Sequence, residues 1–392
     1  MIYIFHLIEI KFLRCHLNFN DNEEIMNIYI LNKKFSNSCK FIETGYNMIK
    51  SKNKYYGDYN ELIKLSKKFK PDIVFVSKIT KNKNIIINLL NKFKCKIYYL
   101  HHGLWDKVTG LNGFKNILNT GWKFQDCYEK MLFTPSELEY FNNFNLSKDK
   151  MLIINGSPQL DYAFNQDYNK IREIFSKHIS ISSGNIMENC CDPIDKNRKF
   201  ILLVENNSGV YQLYSKDKVN QTQYNEYVMV LKRLIELSEE YDLQILCKMK
   251  TAYSDSKKLF SSKEFEKLTS NPRVTLIWRK DFMLYHFMFA DVIFSQNCST
   301  VFCESILCNP LTVQINLLFK NDNFCVGDYN LFRLLEIEDI EKYVNNETSK
   351  KLITKEYLEN KNKFVKSIYG DFDKNTINRI YEEICKSNNT NN

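Results

Sequence analysis

The sequence predicts an α/β protein with two Rossmann-like domains that face a central cleft, followed by C-terminal helices. Short apolar runs alternate with longer amphipathic stretches along the chain, which is the order of elements in a doubly wound fold. The apolar runs are continuous, which indicates strands covered by helices on both faces of a sheet. At 392 residues the chain is also too long for most single cores, so two domains of ordinary size are expected.

The first predicted domain spans residues 1–185. Its strands are predicted at residues 27–31, 72–77, 96–100, 130–134 and 151–155. Apolar residues at helical spacing predict helices over residues 59–69 and 84–93. Charged residues interrupt the apolar stretch at residues 1–19, so that stretch is predicted to be a buried first strand instead of a membrane-spanning helix.

The second predicted domain spans residues 200–345. A polar, turn-rich stretch at residues 186–199 precedes it and is predicted to be a linker or surface loop. The strands of this domain are predicted at residues 200–205, 243–248, 274–278, 291–295 and 311–315. Its helices are predicted at residues 224–240, 257–268, 281–290 and 299–308. Residues 346–392 are predicted to form C-terminal helices and a tail.

Charge and cysteine content restrict the classes of function. The net charge is +9 at pH 7, but the basic residues are scattered and form no dense block with aromatic residues, so no nucleic-acid partner is expected. The 12 cysteines follow no cleavable signal and do not suggest a disulfide framework, so we expect a cytoplasmic protein. Its positive charge is compatible with peripheral contact to an anionic membrane surface. No cysteine spacing predicts a metal site.

Residues that directly follow the strands are the candidates for a site, because ligands of such sheets bind at the carboxyl ends of the strands. His102 and Gly103 follow the strand predicted at residues 96–100. A histidine at this place can face a cleft and titrate near neutrality, as a general base must. The alternative is a structural histidine that bonds to a neighbouring carbonyl group, and the sequence leaves both open.

A second candidate segment is "INGSPQLDYAF", at residues 154–164. Gly156, Ser157 and Pro158 predict a tight turn that opens a short helix. Asp161 falls in the first turn of that helix, where a negative charge is favourable whatever the function. A capping role therefore explains Asp161, while the exposed helix N-terminus is a plausible anion site.

The third candidate segment, at residues 290–315, is predicted to run strand, loop, helix, turn and strand. Hydroxyl and amide side chains surround the start of its helix: Ser295, Asn297, Ser299 and Thr300. Together with the backbone N–H groups of the helix N-terminus, they form a pattern typical of a phosphate or diphosphate cradle. Glu304 comes one turn later, where it could reach a ribose hydroxyl or cap its own helix. The alternative is N-capping by Ser299 without a ligand.

Lys248 and Lys250 form a fourth candidate at the end of the strand predicted at residues 243–248. They lie on the same side of an extended backbone, where two ammonium groups could meet a phosphate. The alternative is a pair of solvated lysines, since lysine is common throughout this chain.

The order of these segments resembles the CDP-glycerol glycerophosphotransferase family of teichoic acid enzymes, and similarly the wider set of GT-B type surface-polysaccharide glycosyltransferases. The resemblance rests on "HG" after one strand with a lysine nearby, on "GSPQLD" after another, and on a Ser/Thr loop that leads into "CESILCNPLTV". It extends from about residue 97 to residue 315 and covers the cores of both predicted domains.

The resemblance implies that His102 is a general base, which deprotonates an acceptor hydroxyl for an inverting attack on an activated diphosphate donor. The Ser299 and Thr300 loop is implied to bind the donor's phosphates, with Ser295 and Asn297 nearby and Glu304 at the acidic position of the helix. Lys248 and Lys250 are donor-side candidates because of their place at the end of a strand, and the resemblance does not imply them. The residues implied to line the acceptor side of the cleft are Gly103, Lys107, Gly156, Ser157 and Asp161. No metal or other cofactor is implied, because helix N-termini and basic side chains neutralise the leaving diphosphate.

The chain departs from the family pattern at three places. Gln159 stands where the family usually carries an arginine, and "KMK" at residues 248–250 replaces a histidine-proline pair. The segment "NNSG" follows the first strand of the second domain, in place of a proline-threonine type. These departures leave open a different nucleotide sugar or a scaffold that has lost its chemistry.

The predicted function is the transfer of a sugar or glycerol phosphate from a nucleotide-diphosphate donor, either CDP-glycerol or a nucleotide sugar. The expected acceptor is a polysaccharide, glycolipid or glycoprotein. A nucleotide-sugar 2-epimerase shares the two-domain fold and a similar serine-rich loop, but it would need further carboxylates near the histidine. A non-catalytic binding protein on the same scaffold is the alternative from a different class.

Overall fold

The computed structural model describes two parallel sheets and the helices that accompany them. The described residues are 28–31, 54–57, 59–65, 68–76, 87, 89–100, 129–133, 135, 148–156, 161, 198–205, 218–249, 263–277, 283–296, 300–318, 326–373 and 375–389. The strand predicted near the N-terminus and most of the predicted linker lie outside these ranges.

The first sheet has six parallel strands in the order β2-β1-β3-β4-β5-β6. The strands are β1 (Ile28–Leu31), β2 (Lys54–Gly57), β3 (Ile73–Val76), β4 (Lys96–Leu100), β5 (Lys130–Phe133) and β6 (Met151–Ile153). Helix α1 (Tyr59–Leu65) lies between β2 and β3, and a π-helical turn (Leu89–Phe93) precedes β4. Five of these strands were predicted from their apolar runs. The edge strand β2 was missed, because "KYYG" is short and carries no apolar run.

The second sheet also has six parallel strands, in the order β12-β11-β10-β7-β8-β9. They are β7 (Lys199–Val204), β8 (Leu243–Lys248), β9 (Val274–Ile277), β10 (Val292–Gln296), β11 (Thr312–Ile315) and β12 (Arg333–Leu334). The chain runs outward from β7 through β8 to β9, and then returns to the other side of β7 with β10. The strand order therefore reverses between β7 and β10, which is the point where open α/β sheets bind their ligands.

Helices cover both faces of the second sheet. The helices of this part of the chain are α2 (Lys218–Leu237), α3 (Lys263–Thr269), α4 (Met283–Phe289), α5 (Thr300–Cys308), α6 (Ile340–Val344), α7 (Asn346–Leu352), α8 (Lys355–Tyr369) and α9 (Thr376–Asn389). One apolar cluster joins the sheet to α4, α5 and α8. We call that side the α5 face. A second cluster joins the sheet to α2, α3 and α6 on the opposite side, which we call the α2 face. The two clusters explain why strands such as β8 are buried along their whole length.

The C-terminal helices connect the two sheets. Phe364 of α8 is fully buried on the α5 face of the second sheet and packs edge to face against Phe302 of α5, with ring centroids 6.1 Å apart. Helix α8 ends at Tyr369 and is capped by Gly370. The chain there reaches the carboxyl end of β6 in the first sheet, where the Tyr369 carbonyl accepts a 2.6 Å hydrogen bond from the Gly156 N–H. The predicted α/β architecture with C-terminal helices is therefore confirmed. Within the described residues, no helix combines the length and the apolar character needed to cross a bilayer.

Candidate functional site

A row of side chains crosses the carboxyl end of the second sheet at the point where the strand order reverses. The strand register pairs Lys248 with Val204, Val204 with Ser295, Ser295 with Gln314, and Gln314 with Arg333. Residues that pair in parallel strands point to the same side of the sheet, and Val204 belongs to the cluster on the α5 face. Lys248 and Ser295, which were predicted separately, therefore share this face at a Cα separation of about 10 Å.

Some buried polar atoms in this region, Ser295 Oγ and Asn316 Oδ1 among them, have no hydrogen-bond partner in the part of the chain that the structure describes. Ser295 is fully buried and its Oγ lacks such a partner, as does Oδ1 of the 4% exposed Asn316. The Asn316 N–H donates to the Leu334 carbonyl at 3.0 Å, which continues the ladder past the end of β11. Alternation along the strand then places Asn316 on the same face as Gln314. A buried polar atom without a partner costs free energy, so these atoms indicate a place for a polar ligand.

Helix α5 begins four residues after the end of β10, close to the position predicted for the phosphate cradle. The predicted helix at residues 299–308 is observed as Thr300–Cys308. Its first backbone N–H groups have no carbonyl partner within the helix, and they carry the positive end of the helix dipole. Asn297 and Ser299 lie outside the described residues, and nothing is described of the Thr300 side chain. The helix is confirmed, while the binding roles of these residues stay predictions.

Glu304 lies one turn into α5 and is partly buried. Burial disfavours the ionised carboxylate and raises the pKa of Glu304 to about 8. Cys308 follows one turn later on α5, and burial raises the pKa of its thiol, with a smaller contribution from Glu304. Lys361 on the neighbouring helix α8 has a smaller, opposite effect and lowers the pKa of Cys308. Burial lowers the pKa of Lys361 itself. At neutral pH Glu304 is therefore largely a protonated acid that can donate a hydrogen bond.

Several predicted site residues lie outside the described part of the chain. They are His102, Gly103, Lys107, Ser157 and Lys250. Strand β4, which precedes His102, ends at Leu100 as predicted. The carboxyl end of that strand is therefore established, and the assignments of these residues to the site stay predictions. Within the described ranges, no three His, Cys, Asp or Glu side chains come together in a way that could hold a metal ion.

Gly156 lies directly after β6 and is held against the C-terminal helices. Its φ of +101° belongs to the left-handed region that favours glycine. A Cβ atom at this position would lie 2.0 Å from Oγ1 of Thr376, at the start of α9. The sequence predicted a tight turn here, and the structure adds that the missing side chain makes room for another helix.

Asp161 is fully buried and contacts the same helix. Its Oδ1 accepts a 2.9 Å hydrogen bond from Oγ1 of Thr376, which is also fully buried. Arg379, one turn further along α9, donates to the Asn155 carbonyl and forms an ion pair with Asp373. This arginine holds the pKa of Asp373 below its usual range. Asp161 thus anchors α9, and its predicted place in an acceptor cleft stays a prediction.

Two of these contact residues, Thr376 and Arg379, were not predicted from the sequence. They lie in a charged C-terminal stretch that predicted only helices, and their partners in the first half of the chain, Asp161 and Asn155, are more than 200 positions away. Glu226 of α2 was missed for the same reason. It is a buried carboxylate in a helix whose sequence predicts only an amphipathic face. A local pattern carries no signal for such partners.

The comparisons with known proteins place the chain by its fold. No protein-family model and no curated protein matches it. Among solved structures, UDP-GlcNAc 2-epimerase from Methanocaldococcus jannaschii is similar with a TM-score of 0.52 and 16% identity, over 91% of this chain and 98% of that one. The Neisseria meningitidis UDP-GlcNAc 2-epimerase bound to UDP-GlcNAc is similar with a TM-score of 0.52 and 15% identity, over 92% of this chain and 91% of that one. Wall teichoic acid polymerase TagF, soaked with CDPG, is similar with a TM-score of 0.52 and 13% identity, over 98% of this chain and 96% of that one.

These likenesses define the class of architecture. The chain has the GT-B fold, with two Rossmann-like units that face a central cleft, as expected from the sequence. At identities of 13–16% these similarities show the fold alone. Two epimerases and one polymerase share this fold, so the fold does not select one activity.

The replacement Gly156→Ala is expected to destabilise the protein by about 2 kcal/mol or more, because the alanine would combine a strained φ with a collision against Thr376. Urea unfolding followed by circular dichroism measures the change. The exposed neighbour Asn155→Ala keeps its carbonyl group and serves as a control of small effect. Equal stability of Gly156→Ala and the wild type would show that α9 does not pack against this turn.

The raised pKa of Glu304 predicts that the free energy of unfolding falls as the pH rises. Its pKa in the folded protein is about 8, against an ordinary value of 4.5. Between these pH values the unfolded chain releases the proton while the folded protein keeps it. The stability from this group is therefore fully present below about pH 4.5 and is lost as the pH rises through about 8.

The difference in unfolding free energy between the wild type and Glu304→Gln, measured from about pH 5 to about pH 9, isolates this effect. We expect the wild type to lose stability relative to the variant as the pH rises. The variant Glu356→Gln, at an exposed position of α8, is the matched control. A difference that does not change with pH would contradict the assignment of a protonated Glu304.

Proposed function

We propose that the protein is a metal-independent GT-B transferase, which moves a sugar or glycerol phosphate from a nucleotide-diphosphate donor to a polysaccharide, glycolipid or glycoprotein acceptor. The observation that carries this proposal is the row of Lys248, Ser295 and Gln314 on the α5 face. It lies at the reversal of strand order, and helix α5 begins just beyond it. A cation, a hydroxyl group and a helix N-terminus at this place suit a diphosphate.

In the proposed reaction, His102 takes the proton from an acceptor hydroxyl. With a nucleotide sugar, the acceptor oxygen forms a bond to the anomeric carbon, and the bond from that carbon to the diphosphate breaks, so that a nucleoside diphosphate leaves with the electron pair. With CDP-glycerol, the oxygen forms a bond to the phosphorus that carries the glycerol, the bond from that phosphorus to the bridging oxygen breaks, and CMP leaves with the electron pair. The helix α5 N-terminus and Lys248 would stabilise the negative charge of the leaving group.

The bound molecules of the similar structures support a nucleotide donor. One 2-epimerase is bound to UDP-GlcNAc and TagF is soaked with CDPG, and both share the fold at a TM-score of 0.52. The polar atoms that Ser295 and Asn316 keep buried favour a protein that binds a polar ligand here over a scaffold that binds none. A protein without a ligand would be more stable with apolar side chains at these positions.

A nucleotide-sugar 2-epimerase is the second candidate, and a specific observation favours it. Two of the similar structures with a TM-score of 0.52 are UDP-GlcNAc 2-epimerases. The products separate the two activities. A transferase forms a new acceptor product and consumes donor only when an acceptor is present, whereas an epimerase alters the sugar at C2 without an acceptor. Proton NMR of the sugar after incubation with each donor distinguishes them.

The replacement Ser295→Ala is expected to leave the free protein as stable as the wild type or slightly more stable, because the buried Oγ has no partner among the described residues. Donor affinity should fall by about three- to tenfold, because the ligand loses a hydrogen bond. Thermal shift with CDP-glycerol, UDP-sugars and GDP-sugars identifies the donor, and calorimetry then measures its Kd.

The matched control is Ser305→Ala in α5. Ser305 is equally buried, but its Oγ donates to the Phe302 carbonyl at 2.8 Å. We expect this variant to lose about 1 kcal/mol of stability and to keep its donor affinity. The opposite pattern, with Ser295→Ala destabilised and the donor Kd unchanged, would remove Ser295 from the donor site.

The replacement His102→Ala is expected to lower kcat by about 10²- to 10⁴-fold, because the acceptor hydroxyl loses its base. The donor Kd should stay nearly unchanged, since His102 acts on the acceptor. The neighbouring variant His101→Ala is the control and should keep its activity. Full activity of His102→Ala, measured by release of the nucleotide product, would exclude His102 as the base.

A further inference from the structure

Helix α2 binds the chain where it leaves β11, through a buried carboxylate. Glu226 is fully buried, and its Oε1 accepts hydrogen bonds from the backbone N–H groups of Leu317 at 2.8 Å and Leu318 at 3.0 Å. Glu226 is separated from these residues by 91 and 92 positions. Two hydrogen bonds from backbone N–H groups stabilise the carboxylate and fix the path of the chain after β11.

The same face of α2 also binds the end of β10. Gln296 is the last residue of that strand, and its Nε2 donates a hydrogen bond to the backbone carbonyl of Gln223. Gln223 lies three positions before Glu226, so both residues project from one side of α2. Helix α2 therefore holds the carboxyl ends of two neighbouring strands, and it does so from the face of the sheet opposite to α5.

The segment held by Glu226 borders the region proposed to bind the donor. Asn316 directly precedes the two anchored residues, and it lies on the α5 face with Ser295 and Gln314. Its Oδ1 is buried without a partner in the described part of the chain, and it can accept a hydrogen bond from a hydroxyl group. Leu318 keeps 47% of its surface exposed, although its backbone is anchored.

We propose that Glu226 is a positioning residue for the transfer reaction. By anchoring Leu317 and Leu318 from the α2 face, it fixes the Asn316 amide on the α5 face, where Oδ1 accepts a hydrogen bond from a hydroxyl of the transferred group. The inference rests on the proposed function, and it names the part of the donor that is recognised: a hydroxylated transferred group, separate from the nucleotide. Anchoring before the donor arrives lowers the ordering cost of binding.

Replacement of Glu226 is expected to weaken binding of the complete donor but not of the free nucleotide. Glu226→Gln keeps the size of the side chain and one acceptor oxygen but removes the charge. We expect the Kd of the complete donor to rise by about three- to tenfold, because the transferred group loses a well-placed partner. The Kd of the matching free nucleotide, UDP for a UDP-sugar or CMP for CDP-glycerol, should stay within about twofold. General damage to the domain would weaken both.

Two further measurements connect the effect to its cause. Hydrogen exchange of the Leu317 and Leu318 amides should become faster in Glu226→Gln, because their acceptor is weaker. A double-mutant cycle compares the changes in donor Kd. In the Asn316→Ala background, where the recognising amide is absent, Glu226→Gln should raise the donor Kd only slightly further. The control is Glu236→Gln, on the same helix but with a 63% exposed side chain, which should change neither exchange nor affinity.

The outcomes separate this inference from the proposed function. If the wild type binds none of the CDP-glycerol, UDP-sugar and GDP-sugar probes, both are overturned. If the wild type binds a donor and Glu226→Gln keeps its affinity, or loses affinity for donor and free nucleotide equally, only the positioning role is overturned. Additive effects in the double-mutant cycle likewise overturn the role of Asn316. Calorimetry on the full chain provides all of these comparisons.

Discussion

The contact between the C-terminal helices and the turn after β6 is the constraint on which the arrangement of the two sheets depends. Helix α8 belongs to the core of the second sheet through Phe364. The chain that follows it bonds to Gly156, and Thr376 of α9 occupies the space that a side chain at Gly156 would need. The buried hydrogen bond from Thr376 to Asp161 then joins α9 to the first half of the chain. One continuous segment thus contributes to both halves of the fold.

The buried polar side chains at the carboxyl end of the second sheet lower the stability of the free protein, and they lie in the proposed donor site. Ser295 and Asn316 are almost completely buried with oxygen atoms that lack partners among the described residues. Apolar side chains would pack there without the desolvation cost. A ligand with hydrogen-bond donors recovers that cost when it binds, so the same atoms that weaken the free protein favour the complex. Their position at the reversal of strand order agrees with this interpretation.

The two faces of the second sheet have complementary roles. On the α5 face, the sheet presents Lys248 and Ser295 beside the start of a helix. On the α2 face, Glu226 and Gln296 connect helix α2 to the ends of β10 and β11. The loops of a site need rigid supports, and hydrogen bonds from an opposite helix supply them without occupying the space of the ligand. The side proposed to bind the ligand and the side that supports it are therefore different faces of the sheet.

The sequence by itself determined the α/β class and ten of the twelve described strands, because a continuous apolar run shows that a segment is buried on both sides. It also determined that polar residues such as Ser295 lie at the carboxyl ends of the strands. The edge strands β2 and β12 were not predicted. They are short, and only their backbone pairing with β1 and β11 identifies them as strands. Only the tertiary structure decided that Asp161 meets Thr376 and that Glu226 meets Leu317. A local pattern records whether a residue is buried, whereas its partner depends on which distant segments the whole fold brings together.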